Sequence, residues 1–202
     1  MKDKEKYYDK LLNIHTLDKQ KGFNNSSHYF RYEPTPYSAF EFLFNEYKLN
    51  NSDHIVDFGC GKGRLNFIIS HLFDSYVTGI EMNEKFFLEA KENLTRFRKK
   101  HKEKINFNCC LAEEYPIDPL DNKFYFFNPF SIQIFMTVIN NILLSVEKVE
   151  RDIELILYFA SNDYIYFLEN DTSFELQQEI RIPGLYEVVP YERFLIYRLS
   201  AK

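Results

Sequence analysis

Residues 54–64 read His54-Ile55-Val56-Asp57-Phe58-Gly59-Cys60-Gly61-Lys62-Gly63-Arg64. In this stretch a short apolar run passes into three glycines at alternate positions. Apolar side chains then recur at helical spacing from Leu65 to Ile69, so the pattern predicts a strand, a glycine turn and a helix. In that arrangement the backbone N–H groups at the helix N-terminus face a ligand. Glycine suits the turn because it leaves the backbone accessible and adopts positive φ at little cost.

Two common nucleotide-binding turns do not fit this stretch. A phosphate-binding P-loop needs Ser or Thr after its Gly-Lys pair, whereas Gly61-Lys62 is followed by Gly63. A dinucleotide-binding turn of the form G-x-G-x-x-G would need a third glycine where Arg64 stands. The spacing of the glycines therefore favours a third kind of turn.

The full pattern D-x-G-x-G-x-G is present at residues 57–63. It resembles the first motif of the class I S-adenosylmethionine (SAM) dependent methyltransferases. The resemblance covers about residues 37–200 and implies a single Rossmann-like three-layer α/β domain with SAM as cofactor. Its sheet would have seven mostly parallel strands ending in an antiparallel C-terminal pair. Glu81 lies 22 residues after Gly59, the distance at which one βαβ unit places a carboxylate beside a ribose.

The same resemblance implies cofactor contacts from residues that follow or end the first four strands. They are Asp57, Phe58, Gly59, Gly61, Gly63, Glu81, Met82, Ala112, Glu113 and Asn128. Ala112 and Glu113 would contact the edge of the adenine.

The fourth predicted strand, 123–127, ends in Asn128-Pro129-Phe130-Ser131. This tetrapeptide resembles the [N/D/S]-P-P-[Y/F/W] motif of methyltransferases that modify planar amino groups, which implies catalytic roles for Asn128, Pro129 and Phe130. In that motif the polar side chain and a backbone carbonyl hold the N–H groups while the aromatic ring stacks on the plane. This chain has one proline, so Phe130 stands one position earlier than the aromatic residue of the motif.

The remaining chain predicts an N-terminal helical arm over residues 1–36 and the methyltransferase domain over 37–202. Few core positions are predicted in the arm. An aromatic cluster at 28–37 is either a lid over the cofactor or an arm packed on the core, and both alternatives stay open. Ser38 is the predicted N-cap of the next helix because Glu41 follows three residues later. The last two predicted strands lack a crossover helix and must pair antiparallel.

Composition narrows the classes of protein that fit. A net charge of −5 argues against a globally basic nucleic-acid binder. There is no apolar run long enough for a membrane span, and the charged N-terminus does not read as a signal peptide. Three cysteines cannot build a disulfide framework, and we expect Cys109 and Cys110 to lie in a buried strand. A cytoplasmic location follows. No paired His or Cys residues suggest a metal site.

These observations predict an enzyme that transfers the sulfonium methyl of SAM to an unidentified acceptor. The acceptor is a small molecule, a protein or a nucleic acid, with a planar amino group as one candidate. Because the sulfonium already activates the methyl, the protein mainly has to align the reactants and exclude water. Two alternatives stay open: aminopropyl transfer on the same core, and SAM binding without catalysis. The oligomeric state is also open.

Overall fold

The computed structural model describes residues 2–17, 28–98 and 102–201. Its helices are α1 (Lys2–Leu12), α2 (Tyr37–Glu46), α3 (Arg64–Phe73), α4 (Glu84–Arg96), α5 (Ile132–Lys148) and α6 (Asn162–Asp171). Its strands are β1 (His54–Phe58), β2 (Tyr76–Ile80), β3 (Ile105–Asn108), β4 (Lys123–Phe126), β5 (Ile153–Tyr158), β6 (Glu175–Arg181) and β7 (Arg193–Leu199). No helix among the described residues is long and apolar enough to cross a membrane.

One seven-stranded sheet organises the molecule, with the strand order β3-β2-β1-β4-β5-β7-β6. The first five strands pair in parallel, whereas β7 pairs antiparallel with both β5 and β6. The predicted seven-stranded sheet and its antiparallel C-terminal pair are thus confirmed. The chain order reverses direction at β1 and β4, and ligands bind beyond the carboxyl ends of the strands at such a point.

Alternate residues of the central strands point to opposite faces of the sheet, as the two-residue strand period requires. Ile55 packs into a core with helices α1 to α4, and its neighbour Val56 packs into a second core with α5 and α6. The result is the predicted three-layer α/β architecture. The side chain of Asp57 lies on the α3 face, where the amide of Asn66, oriented to pair both neighbours, donates to Asp57 Oδ2 over 3.0 Å.

The N-terminal arm contributes more to the core than the sequence predicts. Leu12 and Ile14 are buried, and a buried polar cluster holds α1 against α3. In that cluster the guanidinium of Arg64 pairs with the carboxylate of Glu5. Helix α1 is strongly polar overall, and its inward-facing residues include Glu5 and Asp9 as well as Leu12, so much of its contribution is polar and leaves no apolar pattern in the sequence. Residues 1 and 18–27 of the arm lie outside the described residues.

Helix α2 begins two residues earlier than predicted, and Ser38 is not its N-cap. Pro36 holds the cap position with φ −58°, and helical geometry begins at Tyr37. The N–H of Tyr37 donates to Glu5 Oε1 over 2.9 Å. A carboxylate from α1 therefore replaces the local capping box, a long-range contact that no local pattern predicts.

The two neighbouring cysteines are not strand residues, which corrects a second expectation. Strand β3 ends at Asn108, so Cys109 and Cys110 follow it, with Cys109 exposed and Cys110 half-buried. The reason is that β3 forms the edge of the sheet, where pairing on one side only gives a short strand. Cys60, in the glycine turn, is buried.

Candidate active site

The glycine turn between β1 and α3 is held open by its backbone conformation and by close neighbours. Gly59, Gly61 and Gly63 all have positive φ, between 55° and 82°. The N–H groups of Gly59 and Cys60 both donate to the carbonyl of Ile80, at 2.9 and 3.0 Å, which ties the turn to the end of β2. A Cβ built on Gly59 would lie 2.8 Å from Cβ of Pro129, so a larger residue there would displace the segment after β4.

Glu81 follows β2 and has a fixed carboxylate. Its Oε2 accepts from the N–H of Gly61 over 2.9 Å, and its Oε1 accepts from the N–H of Asn83 over 2.7 Å. Burial raises the pKa of Glu81 above its ordinary value, while these two hydrogen bonds oppose the rise. A carboxylate accepts about four hydrogen bonds, so each oxygen keeps one further lone pair for a ligand.

A cavity of about 390 Å³ lies at the carboxyl ends of β1, β2 and β4. Its volume is in the range that holds cofactors and drug-sized ligands. The residues lining it are Tyr29, Phe30, Arg31, Tyr32, Glu33, Gly59, Ile80, Glu81, Met82, Asn83, Glu84, Lys85, Phe86, Cys110, Ala112, Phe127 and Pro129. Of the predicted site residues, Gly59, Glu81, Met82, Ala112 and Pro129 therefore meet around one space.

The other predicted site residues lie just outside that space. Asp57 is buried beneath it and lines a second, smaller cavity. The Phe58 ring lies in the core on the α5 face. A Cβ built on Gly63 would meet the ring of Phe107, so this glycine permits packing against β3. Their predicted roles as cofactor contacts stay predictions.

Tyr32 covers the middle glycine of the turn. A Cβ on Gly61 would lie 2.0 Å from the Tyr32 ring, which also packs against Phe86 with the ring centroids 4.9 Å apart. The Tyr32 hydroxyl donates to the carbonyl of Thr16 over 3.1 Å. The space above Gly61 is thus occupied by the protein's own arm, and glycine is needed there for the arm as well as for the positive φ.

The arm also pairs with the segment that follows β4. Tyr29 and Phe130 form an antiparallel bridge, the N–H of Phe30 donates to the Pro129 carbonyl over 2.9 Å, and the N–H of Ser131 donates to the His28 carbonyl over 2.7 Å. Residues 28–33 thereby run along one wall of the cavity. Tyr37, the last residue of the aromatic cluster at 28–37, is instead buried beneath α1, where its hydroxyl donates to Asp9.

Tyr29 makes a second set of contacts on the predicted adenine edge. Its hydroxyl donates to Glu113 Oε2 over 2.5 Å and accepts from the N–H of Ala112 over 3.3 Å. Burial and the carboxylate of Glu113 raise the pKa of Tyr29 well above its ordinary value, so the hydroxyl stays protonated as a donor. The Tyr29 hydroxyl therefore forms hydrogen bonds with two groups that follow β3, the N–H of Ala112 and the carboxylate of Glu113.

Asn128 has an unusual conformation and an unpaired acceptor. Its φ is +40°, in the left-handed region that Asn tolerates better than most residues, and its buried Oδ1 has no hydrogen-bond partner. Phe130 does not line the cavity: its ring is buried against Phe126, and its carbonyl accepts from the hydroxyl of Tyr164 over 2.5 Å. At the end of β4, the aromatic residue that lines the cavity is Phe127.

Several lining residues were missed at the sequence level. Phe127 directly precedes Asn128, and Phe86 is a buried residue of α4, so neither position stands out from a core residue in the sequence. Glu33 and Cys110 carried no local signal at all. Within residues 2–17, 28–98 and 102–201, no group of three or more His, Cys, Asp or Glu side chains is arranged to hold a metal ion.

Comparison with known proteins adds two findings. Residues 37–124 match the model of a family described as a methyltransferase domain. No curated protein sequence matches the chain.

The fold recurs among solved structures. The human methyltransferase 10 domain-containing protein superposes with a TM-score of 0.65 at 12% identity, covering 96% of this chain and 93% of that one. An RNA methyltransferase from Salinibacter ruber, in complex with S-adenosylhomocysteine, gives 0.55 at 12% identity over 84% and 94% of the two chains. Phosphoethanolamine N-methyltransferase 1 of Haemonchus contortus, in complex with phosphoethanolamine and S-adenosylhomocysteine, gives 0.63 at 13% identity over 82% of this chain and 42% of that one.

Proposed function

We propose that this chain is a class I methyltransferase that uses SAM as its donor and a planar amino group as its acceptor. The first half of the proposal concerns the cavity beside Glu81. The second half concerns the unpaired acceptor of Asn128.

The residues around the larger cavity fit SAM. Glu81 keeps a lone pair on each oxygen for the two ribose hydroxyls, and each such charge-assisted bond contributes about 1.5–3 kcal/mol. Gly59 leaves the backbone open at the end of β1. SAM supplies a methyl on a sulfonium, a leaving group that needs no further activation. The protein's part is to bind, to align the acceptor and to exclude water.

The buried Oδ1 of Asn128 is the single observation that carries the acceptor assignment. A buried acceptor without a donor costs about 1–3 kcal/mol, and an incoming N–H group would remove that cost. An amide oxygen accepts a hydrogen bond but is a poor base, which suits a neutral amino group held in place. The Pro129 carbonyl already accepts one hydrogen bond from Phe30, whereas Asn128 Oδ1 accepts none.

Titration calorimetry tests the donor. We expect one molecule of SAM or S-adenosylhomocysteine to bind per chain, with NAD as the matched dinucleotide control. Heat with NAD and none with either SAM or S-adenosylhomocysteine would overturn the assignment.

Methyl-labelled SAM tests the acceptor. The enzyme is incubated with a cell extract separated into small-molecule, protein and nucleic-acid fractions, and the labelled product is identified by mass spectrometry. Glu81→Ala serves as the control for enzyme-dependent label. We expect the label on nitrogen, and a labelled ether, thioether or ester would contradict the amino-group assignment.

The by-product separates the remaining alternatives. Methyl transfer releases S-adenosylhomocysteine, whereas aminopropyl transfer from decarboxylated SAM releases methylthioadenosine. A protein that only binds SAM releases neither. Chromatography of the nucleoside products therefore distinguishes the three activities in one experiment, whatever the acceptor is.

A further inference from the structure

A second cavity adjoins the larger one. It has a volume of about 30 Å³ and shares four lining residues with its neighbour, namely Tyr32, Glu33, Gly59 and Phe127. Since a space of about 10–15 Å³ already holds one water, this cavity admits a small polar group at the end of a longer ligand. Its other walls come from the start of α2, the end of β1 and the first turn of α3.

Arg64 lines this small cavity and is buried, with 3% of its surface exposed. Nε donates to Oγ1 of Thr16 over 2.8 Å. Nη1 pairs with the carboxylate of Glu5 and also donates to the carbonyl of Thr35 over 3.0 Å. Nη2 is buried and has no partner. A buried donor on a charged group is costly to leave unpaired, so this nitrogen is a candidate for an incoming anion.

Charges of both signs line the same small space. Besides Arg64, the acidic residues Asp57 and Glu33 line it. Burial raises the pKa of Asp57 well above its ordinary value, and the neighbouring charge of Glu81 raises it further. A cation nearby would favour the ionised form of Asp57. One cation and two acids match a zwitterion, such as the amino-acid end of a donor whose ribose is held at Glu81.

We infer that Arg64 selects the donor by its carboxylate, which Nη2 binds within the small cavity. This inference rests on the proposed use of SAM. Nη1 already pairs with Glu5 and Thr35, so the guanidinium cannot bind the donor's carboxylate through both of its Nη atoms. The carboxylate therefore accepts a single charge-assisted hydrogen bond, from Nη2. The residue would then exclude decarboxylated SAM, the donor for aminopropyl transfer, because that molecule leaves Nη2 unpaired.

Binding to the wild-type chain gives the first test and needs no variant. Calorimetry compares SAM with decarboxylated SAM, which keeps the ammonium and loses only the carboxylate. We expect SAM to bind at least about tenfold more tightly, as one charge-assisted hydrogen bond implies. Equal affinities would overturn the inference. Methylthioadenosine, which lacks the whole amino-acid end, is the reference for the adenosine half: if it and both SAM forms fail to bind, the proposed donor itself is wrong.

Variants give the second test. Arg64→Gln should reduce the preference for SAM over decarboxylated SAM to less than about threefold while methylthioadenosine affinity stays unchanged. Arg64→Lys should recover part of the preference. Glu5→Gln is the matched control, since it weakens the same contact to α1 but leaves Nη2 in place, and its preference should equal that of the wild type. A purely structural role would lower all three affinities together in Arg64→Gln, and that result, or an unchanged preference, would contradict the assignment.

Discussion

The two halves of the cleft differ in how their acceptor groups are paired and in where non-glycine residues have left-handed backbones. On the side of β1 and β2, both oxygens of Glu81 accept backbone hydrogen bonds, and the turn donates twice to Ile80. On the side of β4 and β5, Asn128 and Phe159 both have left-handed backbones, and Asn128 Oδ1 has no partner. The protein pre-organises the Glu81 carboxylate by itself, while Arg64 Nη2 on the same side is left for a ligand. The second half contains strain and an unpaired acceptor, features that cluster where a ligand completes the structure.

Removing the pre-organised carboxylate gives the largest expected effect. Glu81→Ala should weaken SAM binding by about 2–4 kcal/mol because two ribose hydrogen bonds are lost. Calorimetry measures the change. Glu84→Gln is the control, an exposed acid on the rim of the same cavity whose loss should leave affinity within about twofold. Equal losses in the two variants would mean that general charge, and not the fixed geometry of Glu81, holds the donor.

Removing the unpaired amide tests the second half of the cleft. Asn128→Gly deletes the side chain without adding strain, since glycine accepts φ of +40°. Methyl transfer should fall at least about a hundredfold, the scale of lost positioning. SAM affinity should stay within about threefold, less than ~1 kcal/mol. A variant that loses SAM affinity but turns over normally at saturating donor would place Asn128 with the donor, and the two halves would no longer be distinct.

Tyr29 contacts both halves of the cleft. Removing its hydroxyl should change the affinity for the donor less than Glu81→Ala does, and in the direction of tighter binding. If Glu113 and the N–H of Ala112 contact the donor, the Tyr29 hydroxyl competes for them. Tyr29→Phe should then strengthen binding of S-adenosylhomocysteine by about three- to tenfold, the worth of one hydrogen bond. Tyr166→Phe, on an exposed tyrosine of α6, is the control. Weaker binding in Tyr29→Phe would instead make this hydroxyl a donor contact.

The smallest expected effect is a pH dependence confined to the donor half. Burial raises the pKa of both Asp57 and Glu81, so the free native chain binds more protons than the unfolded chain. Stability from these groups is therefore present at low pH and declines as pH rises through their native pKa values. A sulfonium cation favours the ionised carboxylates, and SAM should gain affinity over S-adenosylhomocysteine by a few-fold with rising pH. Calorimetry in buffers of different ionisation enthalpy measures the accompanying proton release, and Asp57→Asn should reduce it.

The same contrast explains what the sequence could predict. Strand, turn and helix around residues 54–73 are encoded by neighbouring residues, and the carboxylate of Glu81 lies one βαβ unit away. The mostly parallel sheet with its antiparallel C-terminal pair was implied by the family resemblance that this stretch carries. The predicted contacts Gly59, Glu81, Met82, Ala112 and Pro129 accordingly line one cavity.

The features that were missed depend on residues far apart in the chain. The cap on α2 comes from Glu5, and the unpaired Nη2 belongs to an arginine whose partners lie in the arm. Strand β3 ends before Cys109 because it lies at the edge of the sheet, and that position depends on how all seven strands are arranged. No periodicity or motif records such contacts, because each is created by the packing of elements that are separate in sequence.

The pairing of the arm with the segment after β4 also has a consequence for synthesis. His28 and Ser131 are 103 positions apart, and Glu5 and Arg64 are 59 apart. During translation residues 28–33 emerge from the ribosome before Pro129, Phe130 and Ser131, the residues with which they pair. About half of the chain must be synthesised between the two segments. Contacts of this sequence separation are slow to form because a long loop must close first. A stalled or truncated chain ending before residue 130 would leave the Tyr29 ring without Phe130, its packing partner in the finished protein, and an unpartnered aromatic side chain is a target for chaperones and proteases.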